Sequence, residues 1–146
     1  MKYEDFLKTL IVCPFCNGAN RIILESDKSF LTYALAPYHK HHLLVIPKRH
    51  VESITLLSQS ELDDIDLLQE KALGILKKLG YVNMSLLVRE GNVETHTIED
   101  NKSIEHVHFH AIPNIHIGDL DHYGEVRRIM TNIEIDNVMN EIKQVV

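Results

Sequence analysis

Histidine alternates with apolar residues in one short stretch, His106-Val107-His108-Phe109-His110-Ala111-Ile112. In a β-strand, residues two apart share a face, at a rise of about 3.3 Å per residue. The alternation therefore predicts a strand over Glu105–Ile112, ended by Pro113. Its three histidines would line one face, about 6–7 Å from neighbour to neighbour, and the intervening apolar residues would face the core.

Three interpretations of this stretch are open on the residues alone. It is an exposed strand face with incidental polar positions, although valine and threonine fit such a face better than histidine. It is a metal site, because imidazole is a common ligand, but three collinear side chains cannot all reach one tetrahedral ion without strain. Or it supports nucleophilic catalysis, in which a neutral imidazole attacks phosphorus and forms a covalent intermediate. A neighbouring histidine or a backbone carbonyl would then fix the tautomer.

The motif Cys13-Pro14-Phe15-Cys16 has two chemical interpretations. A thiol–disulfide centre needs a βαβ unit whose second cysteine opens a helix. Asn17-Gly18 and β-type residues follow instead, which argues against that interpretation. The other interpretation is half of a zinc site with four ligands. Because the chain has only two cysteines, the remaining two ligands would have to be histidines.

A second histidine cluster lies within residues 39–50. His39 and His41 fall in a predicted turn, where we expect both to be solvated. His42 begins a predicted strand over His42–Ile46. His50 follows this strand in a defined loop, which can hold its ring rigidly, so it is the better ligand candidate of this cluster.

The periodicity of the chain predicts an α+β fold. The clearest helix is Ser58–Leu79, because Ser58 and Glu61 have capping-box spacing and Gly80 follows its end. A polar turn over Ser26–Ser29 predicts a hairpin. The other predicted elements are a weak helix at Tyr3–Leu10, strands at Arg21–Glu25, Phe30–Ala36 and Val82–Val88, an ambiguous segment at Val126–Ile135 and a helical one at Asp136–Val145.

Composition limits the classes of protein that fit. The 146 residues, 45% of them hydrophobic, suit one domain over 1–146 with a buried core. The net charge of −6 argues against a general nucleic-acid binder, which normally has a basic face. No apolar run approaches the ~20 residues of a membrane span. No charged-then-apolar leader appears at the N-terminus, so we expect a cytoplasmic protein.

Three segments together resemble the histidine triad (HIT) family, over roughly residues 12 to 113. His106–Ile112 is similar to the signature His-φ-His-φ-His-φ-φ, where φ is apolar. His42–His50 resembles the strand that precedes the family's long helix, and Cys13–Cys16 resembles the zinc-binding N-terminus of many bacterial and archaeal members. The resemblance implies a curved antiparallel sheet with helices on one face, a homodimer, and hydrolysis or transfer at the α-phosphate of a nucleotide.

The resemblance also implies roles by position. His108 resembles the nucleophile that forms a nucleotidyl-histidine intermediate, and His110 resembles the third triad member, near the transferred phosphate. His42 would lie beside the catalytic imidazole. The implied zinc ligands are Cys13, Cys16, His50 and His106. Because these four residues would occupy all four coordination positions of a tetrahedral zinc ion, no position would be open for water and the zinc would be structural.

Further positions concern substrate binding. Ser103 matches a family position that contacts the phosphate and the leaving group, and Lys102 stands where many relatives have glutamine. Three features depart from the family pattern. Arg89 occupies a position where many members have asparagine, Ala34 lies near the place where relatives hold the ribose with an acid, and the loop Asn92–Asn101 is longer than in compact members.

Three functions therefore compete. The first is a nucleotidyl hydrolase or transferase acting on a nucleoside phosphoramidate, a dinucleoside polyphosphate or a related ester. The second is a non-catalytic, zinc-stapled nucleotide-binding or sensor protein. The third is a thiol redox protein that uses Cys13 and Cys16. For the first two the partner is a small-molecule nucleotide, and the negative net charge means that this anion must rely on local donors.

Overall fold

The computed structural model describes residues 1–16, 21–91, 104–114 and 129–146. These residues form a five-stranded antiparallel sheet and three α-helices, besides a short 3-10 helix at Ile54–Leu56. The elements are α1 (Tyr3–Lys8), β1 (Ile22–Glu25), β2 (Ser29–Tyr33), β3 (Leu43–Pro47), α2 (Gln59–Lys78), β4 (Met84–Val88), β5 (Phe109–Pro113) and α3 (Asn132–Lys143). The predicted α+β class, with one long helix and a shorter C-terminal helix, is confirmed.

The strand order places the two histidine clusters side by side. The sheet runs β1-β2-β3-β5-β4, so β3, which follows His42, lies next to β5, which contains His110. Leu44 pairs with Thr32 on one side and with His110 on the other. Directly opposed residues of antiparallel strands share a face, so these three side chains form one row, on what we call the His110 face.

The opposite face of the sheet, which we call the α2 face, carries the larger core. Leu31, Leu43 and Phe109 pack there against side chains of α2 and α3. On the His110 face, Leu44 packs in a smaller cluster with Tyr3 and Leu7 of α1. The resemblance implied helices on one face, and α1 differs because its apolar side chains cover the His110 face.

Helix α2 forms where the sequence predicts it. Ser58 is its N-cap, and both bonds of the capping box are present: Ser58 accepts from the backbone N–H of Glu61, and the Glu61 side chain accepts from the N–H of Ser58. The buried positions Ile65, Leu68 and Ala72 follow the helical period. Gly80 has a φ of +98°, a conformation that favours glycine after a helix.

The predicted strand over Glu105–Ile112 is wrong in its first half. β5 begins at Phe109, and the N–H of Val107 donates to the carbonyl of Val51 at 2.8 Å instead of to a neighbouring strand. The alternation of side chains is nevertheless kept, because Val107, Phe109 and Ala111 are all buried in the core of the α2 face. The strand predicted over Phe30–Ala36 also ends early, at Tyr33.

The C-terminal helix begins earlier than predicted. α3 has Thr131 as its N-cap and a second complete capping box with Glu134. The ambiguous segment Val126–Ile135 therefore ends in a helix, while residues 126–128 lie outside the described residues. None of the described helices has the length and apolar character needed to span a membrane.

Candidate active site and metal centre

Two histidines meet where β3 and β5 are adjacent. His42 immediately precedes β3, and His110 lies within β5. His42 Nε2 and His110 Nδ1 are 2.9 Å apart, and both side chains are buried. The sheet therefore brings together two residues that are 68 positions apart in the chain.

Backbone geometry fixes the tautomers of this pair. The backbone N–H of Tyr38 donates to His42 Nδ1 at 3.1 Å, so that nitrogen is an acceptor. In neutral His42 the proton is then on Nε2, which donates to His110 Nδ1. Neutral His110 consequently carries its own proton on Nε2, where it can serve as a hydrogen-bond donor.

His108 has the opposite tautomer. Its Nδ1 lies 2.9 Å from the carbonyl oxygen of His106, and because a carbonyl can only accept, Nδ1 carries the proton. The unprotonated nitrogen of neutral His108 is then Nε2. The ring lies between Phe15 and His110, with both ring centroids 4.8 Å away. In the neutral forms, an unprotonated nitrogen on His108 therefore lies on a ring next to that of His110, which carries a donor.

Four possible metal ligands lie close together, and one of them, His106, is two residues before His108. One donor atom from each of Cys13, Cys16, His50 and His106 lies within 4.8 Å of the other three. Cys16 Sγ is 3.2 Å from His50 Nδ1 and 3.5 Å from His106 Nδ1, and Cys13 Sγ is also 3.5 Å from His106 Nδ1. Ligands of a tetrahedral zinc lie about 3.5 Å apart for a sulfur–nitrogen pair, given the usual bond lengths. These residues therefore fit zinc.

The surroundings of His106 suit a metal ligand. Its Nε2 lies 2.7 Å from the carbonyl oxygen of Pro47, so Nε2 donates and Nδ1 is left as the atom that could bind a metal. Such outer hydrogen bonds orient ligating histidines. Burial lowers the pKa of His106 below its ordinary value, with a further decrease from His50. His106 is thereby held in the neutral form that a ligand needs.

Of the residues predicted to bind substrate, the structure describes Arg89 only. Arg89 follows β4 and places its guanidinium carbon 5.8 Å from the ring centroid of Tyr38. Tyr38 in turn stacks on His42 at 5.7 Å, so Arg89 belongs to the surroundings of the histidine pair. Ser103, Lys102 and the loop Asn92–Asn101 lie outside the described residues.

Sequence reasoning was wrong about His41 and did not find Tyr38 or Phe15. His41 is only 7% exposed rather than solvated. Its Nδ1 lies 2.5 Å from the hydroxyl of Tyr81, and its Nε2 lies 3.0 Å from Glu141 of α3. Both partners are distant in sequence, so no local pattern could reveal them.

His39 is half-buried rather than fully solvated. Burial lowers its pKa, and the nearby His41 lowers it further. Its ring meets the edge of Tyr81 at 5.3 Å. The two histidines of the turn therefore pack against Tyr81, beside the segment that carries His42.

Comparison with known proteins identifies the family. The family model described as "Scavenger mRNA decapping enzyme C-term binding" matches residues 10–124. An uncharacterized HIT-like protein of Methanocaldococcus jannaschii is 30% identical over 138 residues, which cover 90% of this chain and 99% of that protein. Adenosine 5'-monophosphoramidase of Schizosaccharomyces pombe is 33% identical over 69% of this chain and 73% of its own length. Bis(5'-adenosyl)-triphosphatase of Dictyostelium discoideum is 29% identical over 68% and 64%.

Solved structures share the fold. A hypothetical histidine triad nucleotide-binding protein of Sulfolobus tokodaii superposes with a TM-score of 0.68 and 18% identity, covering 91% of each chain. A zinc-bound histidine triad family protein of Mycobacterium smegmatis has a TM-score of 0.59 and 15% identity, covering 97% of this chain and 92% of that one. The alternating histidines, the sheet that aligns them and these similarities together show that the chain belongs to the histidine triad superfamily.

Proposed function

We propose that this protein is a nucleotide hydrolase that acts at the α-phosphate through a nucleotidyl intermediate on His108. The observation that carries the proposal is the 2.9 Å hydrogen bond from His108 Nδ1 to the carbonyl of His106. Because of this hydrogen bond, the proton of the neutral His108 ring is on Nδ1, and Nε2 is unprotonated and can act as the nucleophile. Similarity to an adenosine monophosphoramidase and to a bis(5'-adenosyl)-triphosphatase supports hydrolysis of nucleotides.

In the first step, His108 Nε2 attacks the α-phosphorus and forms a P–N bond. The bond from phosphorus to the leaving group breaks, and its electron pair departs with that group, which takes up a proton from solvent as it leaves. The imidazole becomes positively charged, and the carbonyl of His106 stabilises it by accepting the Nδ1–H. His110 donates from Nε2 to the phosphoryl group, where negative charge needs preorganised donors.

In the second step, water attacks phosphorus and the P–N bond breaks. Its electron pair returns to His108 Nε2, the attacking water loses a proton to solvent, and a nucleoside monophosphate is released. His42 does not react in either step. It holds His110 in the donor tautomer, because it is itself held by the N–H of Tyr38.

We further propose that Cys13, Cys16, His50 and His106 hold one structural zinc ion. When bound, zinc would supply a fixed four-way crosslink with no open position for water. The sulfur–nitrogen distances of 3.2–3.5 Å support this assignment, as does the zinc-bound M. smegmatis protein of the same fold. His106 would then connect the crosslink to the nucleophile, since its own carbonyl orients His108.

Three further residues complete the proposed site. We assign Arg89, Lys102 and Ser103 to the binding of substrate phosphate. For Arg89 the contact with Tyr38, which stacks on His42, supports the assignment. Both cysteines are free thiols, and the reducing cytoplasm keeps such thiols available for a metal, so we also propose a cytoplasmic location.

We propose that the protein acts as a homodimer. β4 is an edge strand of the described sheet, and an edge strand offers unpaired N–H and C=O groups to another chain. Val82 and Leu86 are 84% and 43% exposed at this edge. Light scattering should give the mass of a dimer, and Leu86→Glu should shift it toward a monomer; a monomeric wild-type protein would contradict the proposal.

A turnover assay with matched variants tests the hydrolase. The wild-type protein should release nucleoside monophosphate from a nucleoside phosphoramidate or from a dinucleoside triphosphate. His108→Ala should lower kcat about a thousandfold or more, while His39→Gln, which changes a histidine without a proposed role, should stay close to wild type. Nucleotide binding by calorimetry with no product over long incubation would contradict the hydrolase and favour the sensor. Equal activity of wild type and His108→Ala would exclude the mechanism.

A further inference from the structure

Two adjacent histidines before β3 make contacts on opposite faces of the sheet. His42 bonds to His110 on the His110 face. His41 bonds instead to Tyr81, which packs against the core of the α2 face, and to Glu141 of α3, the helix whose apolar side chains belong to that core. Both imidazoles are buried. The chain at this point therefore connects α3 with the proposed active site.

The contacts of His41 leave its ring one orientation and one tautomer. Hydrogen bonds from Lys40 and from His41 lower the pKa of Glu141, so this carboxylate is ionised at neutral pH and only accepts. The proton of neutral His41 is then on Nε2, which donates to Glu141 at 3.0 Å, and Nδ1 accepts from the hydroxyl of Tyr81 at 2.5 Å. Lys40 donates to the other oxygen of Glu141 at 2.8 Å. A polar network in which each member has its partner fixes a single arrangement.

This network holds the turn that contains the donor to His42. The backbone N–H of Tyr38 donates to His42 Nδ1 at 3.1 Å. The N–H of His42 donates to the carbonyl of His39 at 3.0 Å, and the N–H of His41 donates to Nδ1 of His39 at 3.3 Å. Residues 38–42 thus form one hydrogen-bonded unit that is attached to α3 through His41. The position of the Tyr38 N–H depends on this attachment.

The donor on His110 depends in turn on that N–H. With Tyr38 N–H in place, neutral His42 carries its proton on Nε2 and donates to His110, which leaves a proton on His110 Nε2. If the turn moved away, the proton of His42 could lie on Nδ1 instead. His110 would then have to donate from Nδ1 to His42, and its Nε2 would become an acceptor, which cannot stabilise a phosphoryl oxygen.

We infer that Glu141 and His41 are positioning residues for the proposed reaction. They touch no reacting atom and act through the backbone of residues 38–42, which keeps His42 in the tautomer that makes His110 a donor. This inference rests on the proposed hydrolase function. It assigns to the C-terminal helix a part in turnover, besides its packing against the core.

Steady-state kinetics on a nucleoside phosphoramidate test the effect on turnover. Glu141→Ala removes the acceptor of His41 and keeps a residue that favours a helix. Its kcat should fall about fivefold or more, while KM changes less than about twofold. Glu141→Gln should restore most of kcat, because its amide oxygen can still accept from His41. Asp136→Ala, which removes an exposed carboxylate from the same helix, should equal wild type.

The tautomer of His42 is measured separately by NMR of the histidine ring nitrogens. In the wild-type protein, Nδ1 of His42 should be unprotonated and Nε2 protonated. In Glu141→Ala both signals should move toward the average of two exchanging tautomers, whereas Glu141→Gln and Asp136→Ala should keep the wild-type values. This signature does not require turnover, and it would not change if Glu141 only stabilised the fold.

The two measurements together decide the inference. An unchanged His42 tautomer in Glu141→Ala would overturn it, whatever happens to kcat. A changed tautomer with wild-type kcat would overturn it as well, as would equal losses in Glu141→Ala and Asp136→Ala. If the wild-type protein cleaves no nucleotide substrate, the proposed function is wrong and the positioning of a reaction fails with it, whereas the NMR result still shows whether Glu141 fixes the tautomer.

Discussion

His106 belongs to two networks at once. Its ring lies among the cysteine and histidine donors and is oriented by the carbonyl of Pro47, while its own carbonyl oxygen accepts the Nδ1–H of His108. A ligand that is fixed in place also fixes its backbone. We therefore expect metal binding to affect both the stability of the chain and the orientation of His108, the proposed nucleophile.

The first prediction concerns the metal ligands. Cys16→Ser replaces a thiolate with a hydroxyl, which is a poor zinc ligand at neutral pH, so the variant should lose its zinc and its thermal stability together. Elemental analysis should find one zinc per chain in the wild type and very little in the variant. Adding zinc after chelation should restore the Tm of the wild type only. A variant that keeps both its zinc and its Tm would refute the ligand assignment.

Sequence reasoning at the residue scale worked where chemistry is local. For a catalytic histidine in the alternating stretch, the sequence predicted a tautomer fixed by a neighbouring histidine or a backbone carbonyl, and the His106 carbonyl accepts from Nδ1 of His108 in this way. The role of His108 as a nucleophile stays a prediction. Sequence reasoning did not work for His41, whose burial depends on Tyr81 and Glu141. Contacts made across 40 and 100 positions of chain leave no local pattern.

At the scale of elements, the N-terminus of α2 is tied to the loop that carries His50. Glu61 closes the capping box and also accepts two hydrogen bonds from Arg49, at 2.7 and 3.2 Å. Arg49 donates further to the carbonyl of Leu56 at 2.7 Å. The helix start, the 3-10 helix and the residue next to a proposed metal ligand are therefore joined by the Arg49–Glu61 ion pair.

This carboxylate predicts a dependence of stability on pH. Hydrogen bonds from Arg49, followed by that from the backbone of Ser58, lower the pKa of Glu61 to about 2. Since this value lies below that of the unfolded chain, Glu61 stabilises the fold above about pH 4.5, and the contribution is lost as the pH falls toward 2.

The comparison of Glu61→Gln with Glu70→Gln measures this effect. Both residues lie on α2, and Glu70 is exposed. Glu61→Gln should lower the Tm at pH 7 by about 2–4 °C and should reduce the loss of Tm between pH 4.5 and pH 2. Glu70→Gln should resemble wild type. Identical pH profiles for wild type and Glu61→Gln would refute the role given to this ion pair.

The elements also show which parts of a fold a sequence can predict. The bounds of α2 were predictable to one residue at each end, because its capping box and its C-terminal glycine are local signals. The start of β5 was not, because the N–H of Val107 pairs with Val51 and not with a strand. Thr131 and Glu134 carried a capping-box signal that would have located the start of α3.

At the scale of the whole molecule, the larger core and the histidine triad lie on opposite faces of the sheet. The α2 face holds the larger core, whereas the His110 face carries the triad beside a smaller cluster that includes Phe15 and α1. The net charge of −6 gives no general attraction for a nucleotide, so binding depends on donors placed locally. We propose His110 and Arg89 as such donors.

The measurement that tests the central claim most directly is the mass of the protein during turnover. Wild-type protein is mixed with excess nucleotide substrate, denatured rapidly at alkaline pH, where phosphohistidine survives, and analysed intact and as peptides. We expect a mass increase of one nucleoside monophosphate unit, localised to His108 and absent in His108→Ala. Release of nucleoside monophosphate with no adduct on His108, or with the adduct on another residue, would contradict the account.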